Sequence, residues 1–372
     1  MFDVTALGEV LIDFTPCGVS GGGMDLYERN PGGAPANVLA AVNRLGGKTA
    51  FIGKVGDDMH GAFLRETLEK AEIDTTGLIT DEKYFTTLAF VSLKNGERDF
   101  SFARKPGADT QITKEEVNLE LLKETRIFHC GSLSLTDEPA REATYYAVEQ
   151  AKKAGAVISY DPNYRAPLWP DVETAKREMR NMVSRADIMK ISDEETALLS
   201  DREDPLEAAR ELLEKGPSCV IVTLGAEGAL LVTKELEVRV PTGKCQVVDT
   251  TGAGDSFWGG ILFCLSEDRV HPGQLTEEQA ERYLHFANTV AGLCVEKRGA
   301  IPVSYTHLRH GGSGASRSTG IGGKVQKGRC AYCDDHGRLS GYGSGNCPAA
   351  LYSRCLLYTS RSGIGTFRIS EE

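Results

Sequence analysis

Asp249-Thr250-Thr251-Gly252-Ala253-Gly254-Asp255-Ser256-Phe257 is the stretch on which the reading of this 372-residue chain turns. Two glycines flank Ala253, a carboxylate follows at once, and the apolar residues Phe257, Trp258, Ile261, Leu262 and Leu265 then recur at helical spacing. A helix that opens on glycines offers backbone N–H groups with no intrahelical acceptor, at the positive end of its dipole, and so makes a seat for an anion. Glycine lets that backbone approach a phosphate because no Cβ intervenes. An acid beside a phosphate seat is electrostatically out of place unless it has work to do. The work that suits it is taking a proton from a hydroxyl as a phosphoryl group arrives. Taken alone, the stretch reads equally as a glycine-rich turn with an ordinary first-turn acid.

Composition bounds the rest. At 41% hydrophobic and 26% charged, the chain is built like a soluble globular protein, with length for one large α/β domain or two smaller ones. A net charge of −11 argues against nucleic acid as a partner, while a local pocket can still be electropositive. No run of 18 apolar residues exists and Met1-Phe2-Asp3-Val4 lacks a basic leader, so no membrane partner and a cytoplasmic location are expected. The six cysteines before Pro302 are scattered, as in a reducing compartment.

Composition breaks near Pro302. Residues 303–372 hold four of the ten cysteines and 13 of the 41 glycines, with nine Lys/Arg against four Asp/Glu. Aliphatic periodicity vanishes between about 309 and 350. Cys330-x-x-Cys333 with His336, Cys347 and Cys355 invites a zinc reading, but the later ligands lack paired spacing. Val303–Leu308 and Cys355–Arg361 resemble translated adapter or out-of-frame DNA. Residues 303–372 are therefore expected to be a non-native or disordered tail, and residues 1–302 the working domain.

Within 1–302, short apolar runs at Val4–Val10, Thr49–Val55, Ile127–Cys130, Ala156–Tyr160, Ile188–Ile191 and Cys219–Leu224 read as strands. Amphipathic stretches over 34–45, 205–215 and 276–297 read as helices. Such alternation predicts an α/β domain with a mainly parallel sheet. Thr86–Leu93 and Arg98–Phe102 flank Asn95-Gly96, a hairpin signal that departs from it. Two apparent motifs fall away. Gly46-Gly47-Lys48-Thr49 lacks the first glycine of a P-loop, which would sit at Val42; Gly252-x-Gly254 fails the dinucleotide pattern at Phe257.

Four segments remain that make one picture. Gly32-Gly33-Ala34-Pro35-Ala36-Asn37 opens a helix on a glycine pair. Asp13 is expected to end the first strand, where a parallel sheet places ligand-binding groups. Asp161-Pro162-Asn163-Tyr164-Arg165 ends another strand, and Thr223-Leu224-Gly225-Ala226-Glu227-Gly228 a third. These residues resemble the ribokinase-like (PfkB) carbohydrate kinases over about residues 3–302. The resemblance lies in Gly32–Asp58 and Asp249–Gly260, with Asp161–Trp169 and Phe100–Ala108 most similar to bacterial fructokinases.

The resemblance implies a Rossmann-like three-layer α/β/α core with a mainly parallel sheet and a small β-strand lid, here near residues 14–31 and 84–104. It implies ATP-dependent phosphorylation of a primary sugar hydroxyl, with Asp255 as base and the backbone of Gly252, Ala253 and Gly254 as anion hole. Asp13, Gly33 and Asn37 resemble sugar-contacting positions, and Arg104 and Arg165 partners of sugar or phosphate. Thr223, Gly225, Gly228 and Asn288 match nucleotide-contacting positions. Glu195 matches a magnesium-side acid acting through water, although Ser192 stands where the family often has asparagine. Asp249 and Thr251 match part of a monovalent-cation site, for K+. D-fructose is the leading substrate, with 2-keto-3-deoxygluconate or ribose as rivals and a non-catalytic sugar- or nucleotide-binding protein as a different class. Phe85, Leu88 and Phe90 on the lid could clasp a second copy in a homodimer or cover the sugar.

Overall fold

Parallel strands covered on both faces need no polar alternation, and the apolar runs of this chain build such a sheet. The computed structural model describes residues 1–94, 97–297, 299, 330–333 and 339–343, with side-chain surroundings for 1–91, 101–297 and 299. The first strands and helices are β1 (Phe2–Leu7), β2 (Leu11–Val19), β3 (Asp25–Gly32), α1 (Ala34–Arg44), β4 (Thr49–Gly56), α2 (Met59–Lys70) and β5 (Asp74–Asp81). Next come β6 (Leu88–Lys94), β7 (Glu97–Ala103), α3 (Leu119–Lys123), β8 (Thr125–Cys130), α4 (Ala140–Lys153), β9 (Val157–Tyr160) and α5 (Val172–Val183). After them lie β10 (Ile188–Ser192), α6 (Thr196–Leu199), α7 (Pro205–Leu213), β11 (Cys219–Thr223), β12 (Ala229–Thr233) and β13 (Glu237–Val240). The unit closes with α8 (Ala253–Asp268) and α9 (Glu277–Val295).

Nine strands form one sheet in the order β13-β12-β11-β10-β9-β8-β1-β4-β5. Every pairing is parallel except β11–β12 and β12–β13 at one edge. Alternate strand residues enter two apolar layers. Val4, Phe51, Ile188 and Ile221 face α1, α2, α8 and α9, while Leu7, Ile52, Met189 and Val220 face α3 to α7. The three-layer α/β/α architecture expected from the alternation is present. The chain leaves β1 toward β4 and β5 on one side and returns to β8 on the other, so the strand order reverses between β1 and β8. Ligand crevices in such sheets form at the carboxyl ends of the strands around that reversal.

A second, four-stranded sheet runs β3-β2-β6-β7. β6 and β7 pair antiparallel up to Lys94 and Glu97, as the hairpin signal predicts, with Asn95 and Gly96 outside the described residues. One expectation is corrected here. Asp13 does not end the first strand; it sits within β2 of the smaller sheet, opposite Asn30. β1 stops at Leu7, because Gly8 lies beneath α1, where a Cβ would come 2.6 Å from Pro35 Cγ. The unbroken apolar run Val10-Leu11-Ile12 conceals this change of sheet.

Phe14 stacks on Phe90 of the smaller sheet with ring centroids 5.2 Å apart, and Tyr27 meets Phe90 edge-on. Phe85 and Phe90 are exposed. Among the described residues no helix is long and apolar enough to cross a membrane. A compact unit spans Met1–Tyr305, and a second spans Thr306–Glu372. In the latter, β14 (Cys330–Cys333) and β15 (Leu339–Gly343) pair antiparallel, a ribbon that the sequence reading lacks. The tail's remaining residues, among them His336, Cys347 and Cys355 of the zinc reading, lie outside the described residues, where the expectation of a non-native or disordered tail also falls.

Candidate active site

A cavity of about 550 Å³ opens at the carboxyl ends of β8, β9, β10 and β11, between the two sheets. Its walls bring together Asp13, Gly33, Asn37, Arg165, Glu195, Thr223, Thr251, Gly252, Ala253, Gly254 and Asp255 from the sequence reading. Helix α8 supplies the floor. Gly252 begins it at φ 75°, a left-handed conformation that disfavours a side chain, and no side chain caps the helix. Ala253 N–H donates to Thr250 O and Ser256 N–H to Gly252 O. The N–H groups of Gly254 and Asp255 have no acceptor among the described residues, which leaves donors at the positive helix end for an anion.

Asp249 fixes the loop that leads there. Its Oδ1 accepts from Thr251 N–H at 3.0 Å and Thr251 Oγ at 2.7 Å, and the Val248 and Asp249 N–H groups donate to Val295 O at the end of α9. Asp249 itself does not line the cavity.

Asp255 lies in the first turn of α8, and Asn37 Nδ2 of α1 donates to its Oδ2 at 2.7 Å. Burial pushes the Asp255 carboxyl up to about 6; the Asn37 hydrogen bond restrains that rise, Asp161 adds to it, and Lys190 and Arg165 oppose it. A carboxylate with that pKa is ionised at neutral pH and still has useful basicity. Asn37 Oδ1 is buried with no hydrogen-bond partner, so one acceptor beside the base awaits a donor.

The glycine pair has a steric origin. A Cβ on Gly32 would overlap Asp13 Oδ2, and one on Gly33 (φ 114°) would overlap Glu9 O. These glycines let the Asp13 carboxylate and the β1–β2 connection press against the start of α1. Glu9, absent from the sequence reading, lines the cavity and is 3% exposed. Its Oε1 accepts from Ala34 N–H at 3.0 Å and its Oε2 has no partner. Burial pushes its pKa up to about 7. Lys190 was also missed and reaches the cavity from β10.

Glu195 and Ser192 form a capping box. Glu195 Oε2 accepts from Ser192 N–H and Oγ at 2.9 and 3.0 Å, and Oε1 accepts from Tyr164 N–H at 2.7 Å. Serine at 192 thus has a local cause in the start of the turn after β10.

Besides Asp249, four further residues of the sequence reading lie off the cavity wall. The Arg104 guanidinium is buried and engaged by Asp109, Thr136 Oγ and Leu133 O. Asn288 Nδ2 donates to Val240 O and Pro241 O. Gly225 turns the chain at φ 55°, and a Cβ on Gly228 would overlap Val240 O. Among the described residues no group of three or more His, Cys, Asp or Glu could hold a metal ion.

An α/β sheet with an uncapped helix end and an amide-held carboxylate at its switch point describes a phosphotransferase acting on an alcohol group. The chain belongs to the pfkB family of carbohydrate kinases, whose model matches residues 1–307. It is 44% identical over 303 residues to probable fructokinase-2 of Arabidopsis thaliana, covering 80% of this chain and 92% of that one. Its structure is similar to that of Xylella fastidiosa fructokinase with bound ATP, at TM-score 0.76 and 33% identity over 82% of this chain and 95% of that one. A Vibrio cholerae fructokinase double mutant bound to fructose, ADP and potassium ion matches at TM-score 0.72 and 32% identity, over 81% and 94%.

Proposed function

We propose that this chain transfers the γ-phosphoryl group of ATP to a primary hydroxyl of D-fructose, giving fructose 6-phosphate and ADP. The observation that carries the mechanism is the Asn37–Asp255 hydrogen bond of 2.7 Å beside the uncapped end of α8. The fructokinases among its relatives carry the choice of sugar.

Asp13 and the free Oδ1 of Asn37 accept from sugar hydroxyls and hold the acceptor over Asp255. Asp255 takes the hydroxyl proton as the oxygen attacks phosphorus and the bond to ADP breaks. The N–H groups of Gly254 and Asp255 receive the charge on the phosphoryl oxygens. Thr223, at the end of β11, borders the nucleotide side of the cavity. Gly228 and Asn288 shape that side from behind by holding the end of β13 at Val240 and Pro241, and Gly225 turns the chain after β11. Arg165, exposed at the cavity mouth, meets sugar or phosphate charge, whereas Arg104 acts by bracing the wall through Asp109 and Leu133.

A divalent ion such as Mg2+ fits only as a companion of nucleotide phosphate. Both oxygens of Glu195 already accept protein hydrogen bonds, which suits contact through water. It would supply charge neutralisation on the phosphates. Asp249 and Thr251 suit a monovalent-cation loop such as one for K+, since their oxygens cluster where α8 begins. The smaller sheet, which contributes Leu11, Asp13 and Phe102 to the cavity, serves as the lid.

The test is an ADP-release assay on the full chain with Mg-ATP against fructose, ribose, 2-keto-3-deoxygluconate, glucose and adenosine. Turnover selective for fructose is the expected result. Selectivity for another sugar would overturn the substrate, and sugar binding without turnover would overturn the enzyme.

A further inference from the structure

Lys190 is a lysine inside an otherwise apolar central strand, and family resemblance gives it no role. Its Nζ lies 2.8 Å from Asp161 Oδ2, with side chains 7% and 3% exposed. A buried ion pair of this kind is a weak source of stability, because desolvation offsets most of the attraction and an apolar pair of similar volume often does as well. The pair is also incomplete, since Asp161 Oδ1 is buried without a partner. The ammonium is aimed at the floor of the cavity: a Cβ built on Gly254 would stand 3.7 Å from Lys190 Nζ.

We infer that the Lys190 ammonium is a fixed cation for the transferring phosphoryl group, contacting its oxygens beside Gly254 at the start of α8. The inference rests on the phosphoryl-transfer reading above. Burial works against the Lys190 charge, but Asp161, Glu195 and Asp255 outweigh it and hold the ammonium above the usual lysine range. It therefore stays protonated throughout: the sugar oxygen bonds to phosphorus, ADP leaves, and the proton goes to Asp255. The neighbouring His129 does not compete as a cation, because burial and Lys190 push it down to about 3. The charged side chains that line the cavity are Lys190 and Arg165 against Glu9, Asp13, Glu194, Glu195 and Asp255, with Asp161 paired to Lys190. Without Lys190, an arriving phosphate would meet these carboxylates and one exposed guanidinium. A positioned cation in a water-poor site needs no reorganisation as charge develops, and loss of one such group costs roughly 10²–10³-fold in turnover.

The test compares wild type, Lys190→Met and the double variant Lys190→Met/Asp161→Asn, which leaves no unpaired buried charge. Melting temperature is measured alongside turnover and the affinities for ADP and a non-hydrolysable ATP analogue. The expected result is a double variant that melts near wild type, turns over roughly 10²-fold more slowly with little change in sugar KM, and loses affinity for the ATP analogue while keeping that for ADP. Recovery of turnover in the double variant would show that Lys190 only neutralises Asp161, and would overturn the inference. Equal loss of ADP and analogue affinity would overturn it too, by placing the ammonium away from the transferring group. If wild type binds the nucleotides but phosphorylates no sugar, the broader reading fails, and the affinity comparison still decides whether Lys190 meets the terminal phosphate.

Discussion

Helices α1 and α8 both begin on glycine at the same cavity, yet one beginning is closed and the other open. At α1 the first N–H, that of Ala34, is already taken by Glu9 Oε1, and Gly33 is wedged against the Glu9 backbone. At α8 no side chain caps the helix, and the space where a Gly254 Cβ would lie is clear to ordinary contact distance. The same sequence device therefore does two jobs. Glycine at α1 permits close packing of protein on protein. Glycine at α8 keeps protein away, so that helix donors face a ligand.

The largest expected effect lies at the open end. Asp255→Asn removes the base and should lower turnover roughly 10²–10⁴-fold. The same change should raise the melting temperature near neutral pH. Burial lifts the Asp255 pKa from 3.8 to about 6, so the folded state binds the proton more tightly than the unfolded one. Stability is therefore lost as pH rises across that window, and an uncharged amide escapes the loss. In the wild type, kcat/KM should fall as pH drops through about 6. An Asn variant with wild-type turnover would remove Asp255 from its role.

The two glycines should then fail in opposite ways. Gly33→Ala forces a left-handed backbone and a clash with Glu9 O, and should cost at least about 1–3 kcal/mol of stability. Gly254→Ala meets Lys190 Nζ at 3.7 Å and nothing closer, so it should fold normally. Its methyl would crowd the phosphoryl seat and lower turnover roughly tenfold or more. Thermal melts and kinetics on both variants check the contrast; a stable Gly33→Ala or an active Gly254→Ala would dissolve it.

How much of this the sequence reveals depends on whether a feature is local. The strands at Thr49, Ile127, Ile188 and Cys219 are dense apolar runs, and the hairpin after Leu93 is announced by Asn-Gly. β5 and β13, at the two sheet edges, are half-exposed and pass unnoticed, and so does β12 although all five of its residues are buried. Asp255, Asn37 and Gly252 to Gly254 sit in continuous motifs, so their meeting can be anticipated. Glu9 and Lys190 act through partners 25 and 29 residues away. One signal was visible: a charge inside an apolar strand at Lys190 and directly after one at Glu9, where burial without a partner is costly. Arg104 misleads for the complementary reason. A guanidinium near a predicted lid suggests a substrate, whereas Asp109, five positions on, claims it.

The smallest effect belongs to the closed end and separates its titration from that of the open one. Burial lifts Glu9 from 4.5 to about 7, so its share of stability should fall as pH rises through that range and level off above it. Asp255 is half-titrated at about 6 and Glu9 at about 7, so the two overlap and Glu9 carries the larger share of the slope only toward the upper side of 6. Glu9→Gln, which keeps an acceptor for Ala34 N–H, should therefore flatten the melting-temperature slope most on that side. The acid limb of kcat/KM, set by Asp255, should stay where it is. If Glu9→Gln instead moved that limb and left the slope alone, the carboxylate at α1 would belong with the chemistry, and the division between a closed and an open helix end would have to be redrawn.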